Sequence, residues 1–174
     1  VGCTLWSDFD GMSDAPGPAA NDAAAPGALA AHLKARDKAF RAANFYLKKT
    51  DTTRRGEAFL AEGVREQALL CQAWLRQALD TPFEGDTVVV THFAPSLRSS
   101  DPRYGLVPGT AGFCNALDPL LAQAKLWLHG HLHCRHHYRV PRSDGSATPV
   151  VCQARGLAHK GEDLGLEPLR VWEV

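Results

Sequence analysis

The chain has 174 residues, 45% of them apolar, and its 19 basic side chains balance 19 acidic ones, a profile that excludes collagen-like and disordered chains. No apolar run approaches the roughly 20 residues that cross a bilayer, so the chain reads as one soluble domain, residues 1–174, expected in the cytoplasm. A net charge of zero argues against binding nucleic acid through the whole surface, because that affinity comes from Lys and Arg displacing counterions from phosphates.

Residues 1–6 (VGCTLW) form an apolar, β-prone run, and residues 7–27, rich in Ala, Pro, Gly and Asp, predict a loop or flap with little share in the core. The strand run starts without a polar lead-in, as in the C-terminal part of a longer domain. From Ala28 to Lys49 the composition is helical, and a polar, turn-prone stretch closes that helix by Arg55. Leu60, Val64, Ala68, Cys71, Leu75 and Ala78 recur at steps of three and four, which predicts a second helix with one buried stripe.

Residues 87–91 (TVVVT) are too few for a helix and too uniformly apolar for a half-exposed strand, so they predict a central buried one. A short helix over residues 115–125 leads into a second buried strand, Leu126-Trp127-Leu128, which stops at His129-Gly130. Residues 138–141 and 148–152 flank an Asp144-Gly145 turn and predict a hairpin. Residues 169–172 predict a last short strand. Helices alternating with buried strands imply a layered α/β sandwich.

Five of the eight histidines fall within nine residues: His129, His131, His133, His136 and His137. In extended backbone, residues two apart project to one side, so His131 and His133 can converge beyond the end of a strand. Gly130 permits the turn or the close backbone approach needed there. The strand of residues 87–91 ends in the same way, at His92. In open α/β sheets such carboxyl ends are where ligands bind, and imidazole is a common ligand for Zn, Fe, Mn or Ni. Cys134, among these histidines, offers an alternative zinc knot, though its ligands would be cramped in sequence. The five cysteines, Cys3, Cys71, Cys114, Cys134 and Cys152, are odd in number and never spaced C-x-x-C, so no disulfide partner is expected.

Thr91-His92-Phe93-Ala94-Pro95 after a valine strand, followed by Gly130-His131-Leu132-His133, resembles the last two motifs of the calcineurin-like metallophosphoesterases. Residues 1–9 are similar to a segment lying past the first metal motifs in bacterial members. Residues 150–156 resemble the closing strand, where relatives often carry Asn-Pro-Arg-Gly; Gln153 and Ala154 depart from it. The resemblance implies a β-sandwich flanked by helices, with two divalent ions (Mn, Fe, Zn, Ni or Mg) at its edge hydrolysing a phosphomonoester or phosphodiester. By motif position His92 and His131 would bind one ion and His133 the other. His129, His136 and His137 match no ligand position and take supporting or surface roles. A metal-bridging hydroxide would attack phosphorus in line.

The family's Asp-x-His, Gly-Asp and Gly-Asn-His-Glu motifs have no counterpart here, because Gly85-Asp86 precedes its strand instead of following one. The chain therefore carries no identifiable catalytic residue and is expected to be the C-terminal part of such a domain, incomplete at its N-terminus and inactive alone. A non-catalytic relative, or a His-rich structural metal-binding domain, is the alternative. Substrate contacts are expected from residues 7–27 and from the loop 96–113, with Arg98, Arg103 and Tyr104.

Overall fold

A computed structural model describes residues 1–12 and 27–173. The architecture is α/β. A mixed sheet of five strands runs in the order β1 (Gly2–Cys3), β4 (Val88–Thr91), β5 (Leu126–His129), β7 (Ala147–Cys152) and β6 (His136–Pro141). The first four are parallel, and β6 pairs antiparallel with β7 in the expected hairpin. Helices α1 (Ala28–Lys49) and α2 (Ala61–Asp80) lie between β1 and β4, and a one-turn helix α3 (Asp118–Leu121) precedes β5. No described helix is long and apolar enough to cross a membrane.

α2 follows its sequence period: Val64, Ala68 and Leu75 are buried, and Gln72 joins them as a polar member of the same face. Leu75 meets Leu5, Val89, Trp127, Val150 and Leu121 in the main core. Trp127 is wholly buried and donates its indole N–H to Thr91 Oγ1 at 3.1 Å. That bond ties β5 to the carboxyl end of β4, and a buried Trp needs such a partner for its one donor.

Several expectations are corrected. The strand at 87–91 lies second in the sheet, yet Val90 is 49% exposed while Val89 is fully buried. Its sheet is therefore covered on one face there, and an all-valine run conceals the difference because both faces carry the same residue. The helix expected over 115–125 contracts to α3, with Pro119 in its first turn and Asn115 serving instead as a buried cross-link. Residues 169–172 form no strand: Leu169 and Val171 are 90% and 83% exposed, with no strand beside them to satisfy the backbone. The polar stretch after α1 holds a small antiparallel ribbon, β2 (Thr53–Arg54) with β3 (Glu57–Ala58).

The first strand ends at Cys3, and Leu5, Trp6 and Phe9 then adopt left-handed backbone, with φ of 68°, 55° and 63°. This folds residues 5–9 inward, so that Leu5 and Phe9 are buried and Ser7 donates to Ala111 O. Residues 7–27 were expected to add little to the core, yet Ser7, Asp8 and Phe9 are buried. The rest of the expected flap, residues 13–26, lies outside the described residues. Asn115 holds the turn in place: Nδ2 donates to Trp6 O (2.8 Å) and Ala94 O (3.2 Å), and Oδ1 accepts from Asp8 N–H (3.1 Å). Segments beyond β1 and β4 are thereby locked together at the carboxyl edge of the sheet.

Candidate metal centre

β4 and β5 run parallel with Val90 opposite Leu128, so the residues beyond their carboxyl ends emerge side by side. Gly130 N–H donates to His92 O at 3.0 Å and joins the two loops. The sharp turn falls one residue later than its glycine suggests, because His131 itself takes φ 65°. Non-glycine residues adopt this region at a cost, and here the imidazole of His131 lies against His92 and Phe93, just beyond β4.

His131 Nδ1 lies 3.2 Å from His92 Nε2, with the rings 5.0 Å apart and 73° to one another. His131 also stacks on Phe93 at 3.9 Å between centroids and lies 5.4 Å from Phe113. Burial, with His92 and His133 close by, pushes the His131 pKa down to about 4. The ring is therefore neutral at pH 7, the form that presents a lone pair to a metal.

His133 turns elsewhere. Its Nδ1 is 3.2 Å from Glu162 Oε2, and that carboxylate is almost fully covered, with 3% of the side chain exposed. Glu162 also accepts from Leu157 N–H at 2.8 Å and from Arg103 Nη2 at 3.0 Å. The Leu157 amide, followed by Arg103, holds the Glu162 carboxyl below its usual range. Sequence reasoning missed Glu162, since it lies 29 residues beyond His133 in a turn with no motif. Gly156, the glycine of the segment resembling the closing strand, has φ 71° and is packed so tightly that a Cβ there would overlap Glu162.

The other three clustered histidines, His129, His136 and His137, have partners of their own. His129 is 7% exposed, with Nδ1 3.2 Å from Gly130 O and Nε2 2.9 Å from Ser99 Oγ, which lies 2.9 Å from Tyr138 OH. Nδ1–H donating to the carbonyl leaves Nε2 as acceptor for the serine, and the chain of bonds pins the start of the Gly130 loop. His137 packs against Trp172 at 4.6 Å. His136 Nε2 lies 3.0 Å from Cys134 Sγ, whose thiol burial pushes up to about 12. All five cysteines are unpaired.

Of the expected substrate loop, Arg103 and Tyr104 line a cleft of about 550 Å3 together with His131, His133, Lys160 and Glu162. Arg98 does not; its guanidinium lies over the Tyr138 ring at 4.3 Å. A smaller, apolar cavity of about 140 Å3 lies between α1 and the aromatic residues around His131.

The donor set is a partial match to a two-ion centre. Two imidazoles meet, those of His92 and His131, whereas a divalent transition ion takes about four ligands and two ions need a bridging anion. Among the described residues no three His, Cys, Asp or Glu side chains converge in a way that could hold an ion. These residues do not complete a binuclear centre by themselves. Comparison with protein-family models, curated proteins and solved structures returns no match.

Proposed function

We propose that this chain is the imidazole-bearing, C-terminal part of a metal-dependent phosphoesterase of the calcineurin-like kind. It would hydrolyse phosphomonoesters or phosphodiesters when complete. The contact of His92 with His131, at 3.2 Å beyond the carboxyl ends of adjacent parallel strands, carries this reading. Two divalent ions, drawn from Mn, Fe, Zn, Ni or Mg, would supply charge to the phosphoryl oxygens. His92 and His131 are ligands for one ion and His133 for the other, with carboxylate ligands from polypeptide outside these 174 residues. The chain alone is inactive.

The chain's own residues support that role in three ways. Phe93 and Phe113 shield His131 from water and keep it neutral. Glu162 accepts from the Nδ1 side of His133, leaving Nε2 as the nitrogen with a lone pair. Val90, half-exposed on the sheet face opposite α2, fits a further layer that completes the sandwich. Free thiols suit a reducing compartment, the cytoplasm.

Zinc titration of the chain tests the assignment. Weak binding, reduced on the order of tenfold or more by His92→Ala and by His131→Ala and untouched by Cys134→Ala, is expected. Equal affinity in the His92→Ala/His131→Ala double variant refutes the site. One tightly held ion whose removal unfolds the chain supports the structural metal-binding domain instead.

A further inference from the structure

Resting on the phosphoesterase reading, a more specific substrate class follows from the two cavities that meet at His131. The smaller has a volume of about 140 Å3 and is walled by Trp6, Phe9, Leu47, Val64, Phe93 and Phe113. Its lining is almost wholly apolar, and its size is that of one six-membered ring: an engineered protein cavity of about 150 Å3 stays dry and takes up benzene. The larger cleft, about 550 Å3, carries the polar groups, with His131, His133, Lys160 and Glu162 in its wall. A cleft of that size is within the usual range for small-molecule sites.

Tyr46, Gly109, Phe113 and His131 belong to both cavities. A ligand that spans them therefore passes the one imidazole that also touches His92. The apolar side has no charged group to receive a phosphate, and the polar side has a cation in Lys160 as well as the imidazoles. Arg103 is held by Asp101 at 2.6 Å and Glu162 at 3.0 Å, so the two carboxylates of the cleft are engaged by Arg103 and their charge is balanced by Arg103 and Lys160 together.

We infer that the smaller cavity is a subsite for the aromatic ring of an aryl phosphate ester, whose phosphate lies in the larger cleft against His131 and His133. Hydrolysis adds water across the ester: the P–O bond to the ring oxygen breaks, a new P–O bond forms to the water oxygen, and the ring oxygen leaves as a phenol. Aromatic walls favour a flat ring through offset or edge contacts, which a sugar or polyol cannot make. The polar alcohol would also leave its hydroxyls unpartnered there.

Binding can be read on the chain without turnover. Phenol, phenyl phosphate and inorganic phosphate are titrated separately, with saturation-transfer NMR on the ring protons and calorimetry for affinity. Phenol and phenyl phosphate bind the wild-type chain, phenyl phosphate about tenfold tighter than inorganic phosphate. Ala43→Phe fills the cavity from α1 and lowers both ring affinities about tenfold, leaving inorganic phosphate unchanged. Ala42→Leu, also in the wall, does the same with a smaller side chain if Ala43→Phe does not fold. Absence of ring-proton transfer in the wild type, or ring affinities unchanged in both variants, overturns the inference. Zinc titration of His92→Ala and His131→Ala reads the imidazoles and not the cavity, so the two proposals fail separately.

Discussion

Gly156→Ala is the sharpest test of how backbone geometry supports the site. Gly156 has φ 71°, a conformation that costs an L-residue roughly 1–2 kcal/mol. A methyl there would also overlap the Cβ of Glu162 and come within 3.1 Å of His133 O. Overpacking of this kind adds about 1–3 kcal/mol, so the total expected loss is about 2–5 kcal/mol. Gly145, in the hairpin turn, provides the control: its φ is 80°, but nothing lies within 4 Å of the point where a methyl would stand. Gly145→Ala should lose only the backbone part, about 1–2 kcal/mol. Urea unfolding followed by circular dichroism measures both, and a matched slope with denaturant checks that the unfolded states are alike. The excess of Gly156→Ala over Gly145→Ala isolates the crowding against Glu162. Equal losses at the two positions would refute the close packing of the turn on the carboxylate that faces His133.

His129, buried and pushed down to about 4, stays neutral in the folded chain, while its unfolded value is near 6.5. The unfolded chain then binds the extra proton, so stability should be full above pH 6.5 and fall by about 3 kcal/mol as pH drops from 6.5 to 4. Urea midpoints across that range measure it, and a flat profile would contradict a neutral buried ring. Leu75→Ala should cost about 2–5 kcal/mol because Leu75 is fully buried against Trp127 and Val89. Leu70→Ala, at a residue 65% exposed on the same helix, should stay within about 0.5 kcal/mol by the same unfolding assay.

α2, the parallel strands β4 and β5, and the hairpin of β6 and β7 were legible in the sequence because each has a local signal. Steps of three and four mark one face of a helix, short apolar runs mark strands, and Asp144-Gly145 marks the turn. Strand ends likewise marked His92 and His131. What periodicity could not convey is which face of an all-valine strand is covered, or where an inward fold begins. Leu5 and Trp6 read as the end of a strand and residues 7–9 as the start of a loop, because the left-handed backbone at Leu5, Trp6 and Phe9 is held by contacts over 100 residues away, through Asn115 and Ala111.

Residue chemistry by itself determined that imidazoles gather at the carboxyl ends of two strands and that the thiols have no paired pattern. Only the tertiary structure decided which rings meet. His131 turns back onto His92 through its own left-handed backbone, while His133 is drawn to Glu162, a carboxylate brought near by the fold. A spacing of two residues specifies a common side only while the backbone stays extended, and at His131 it does not.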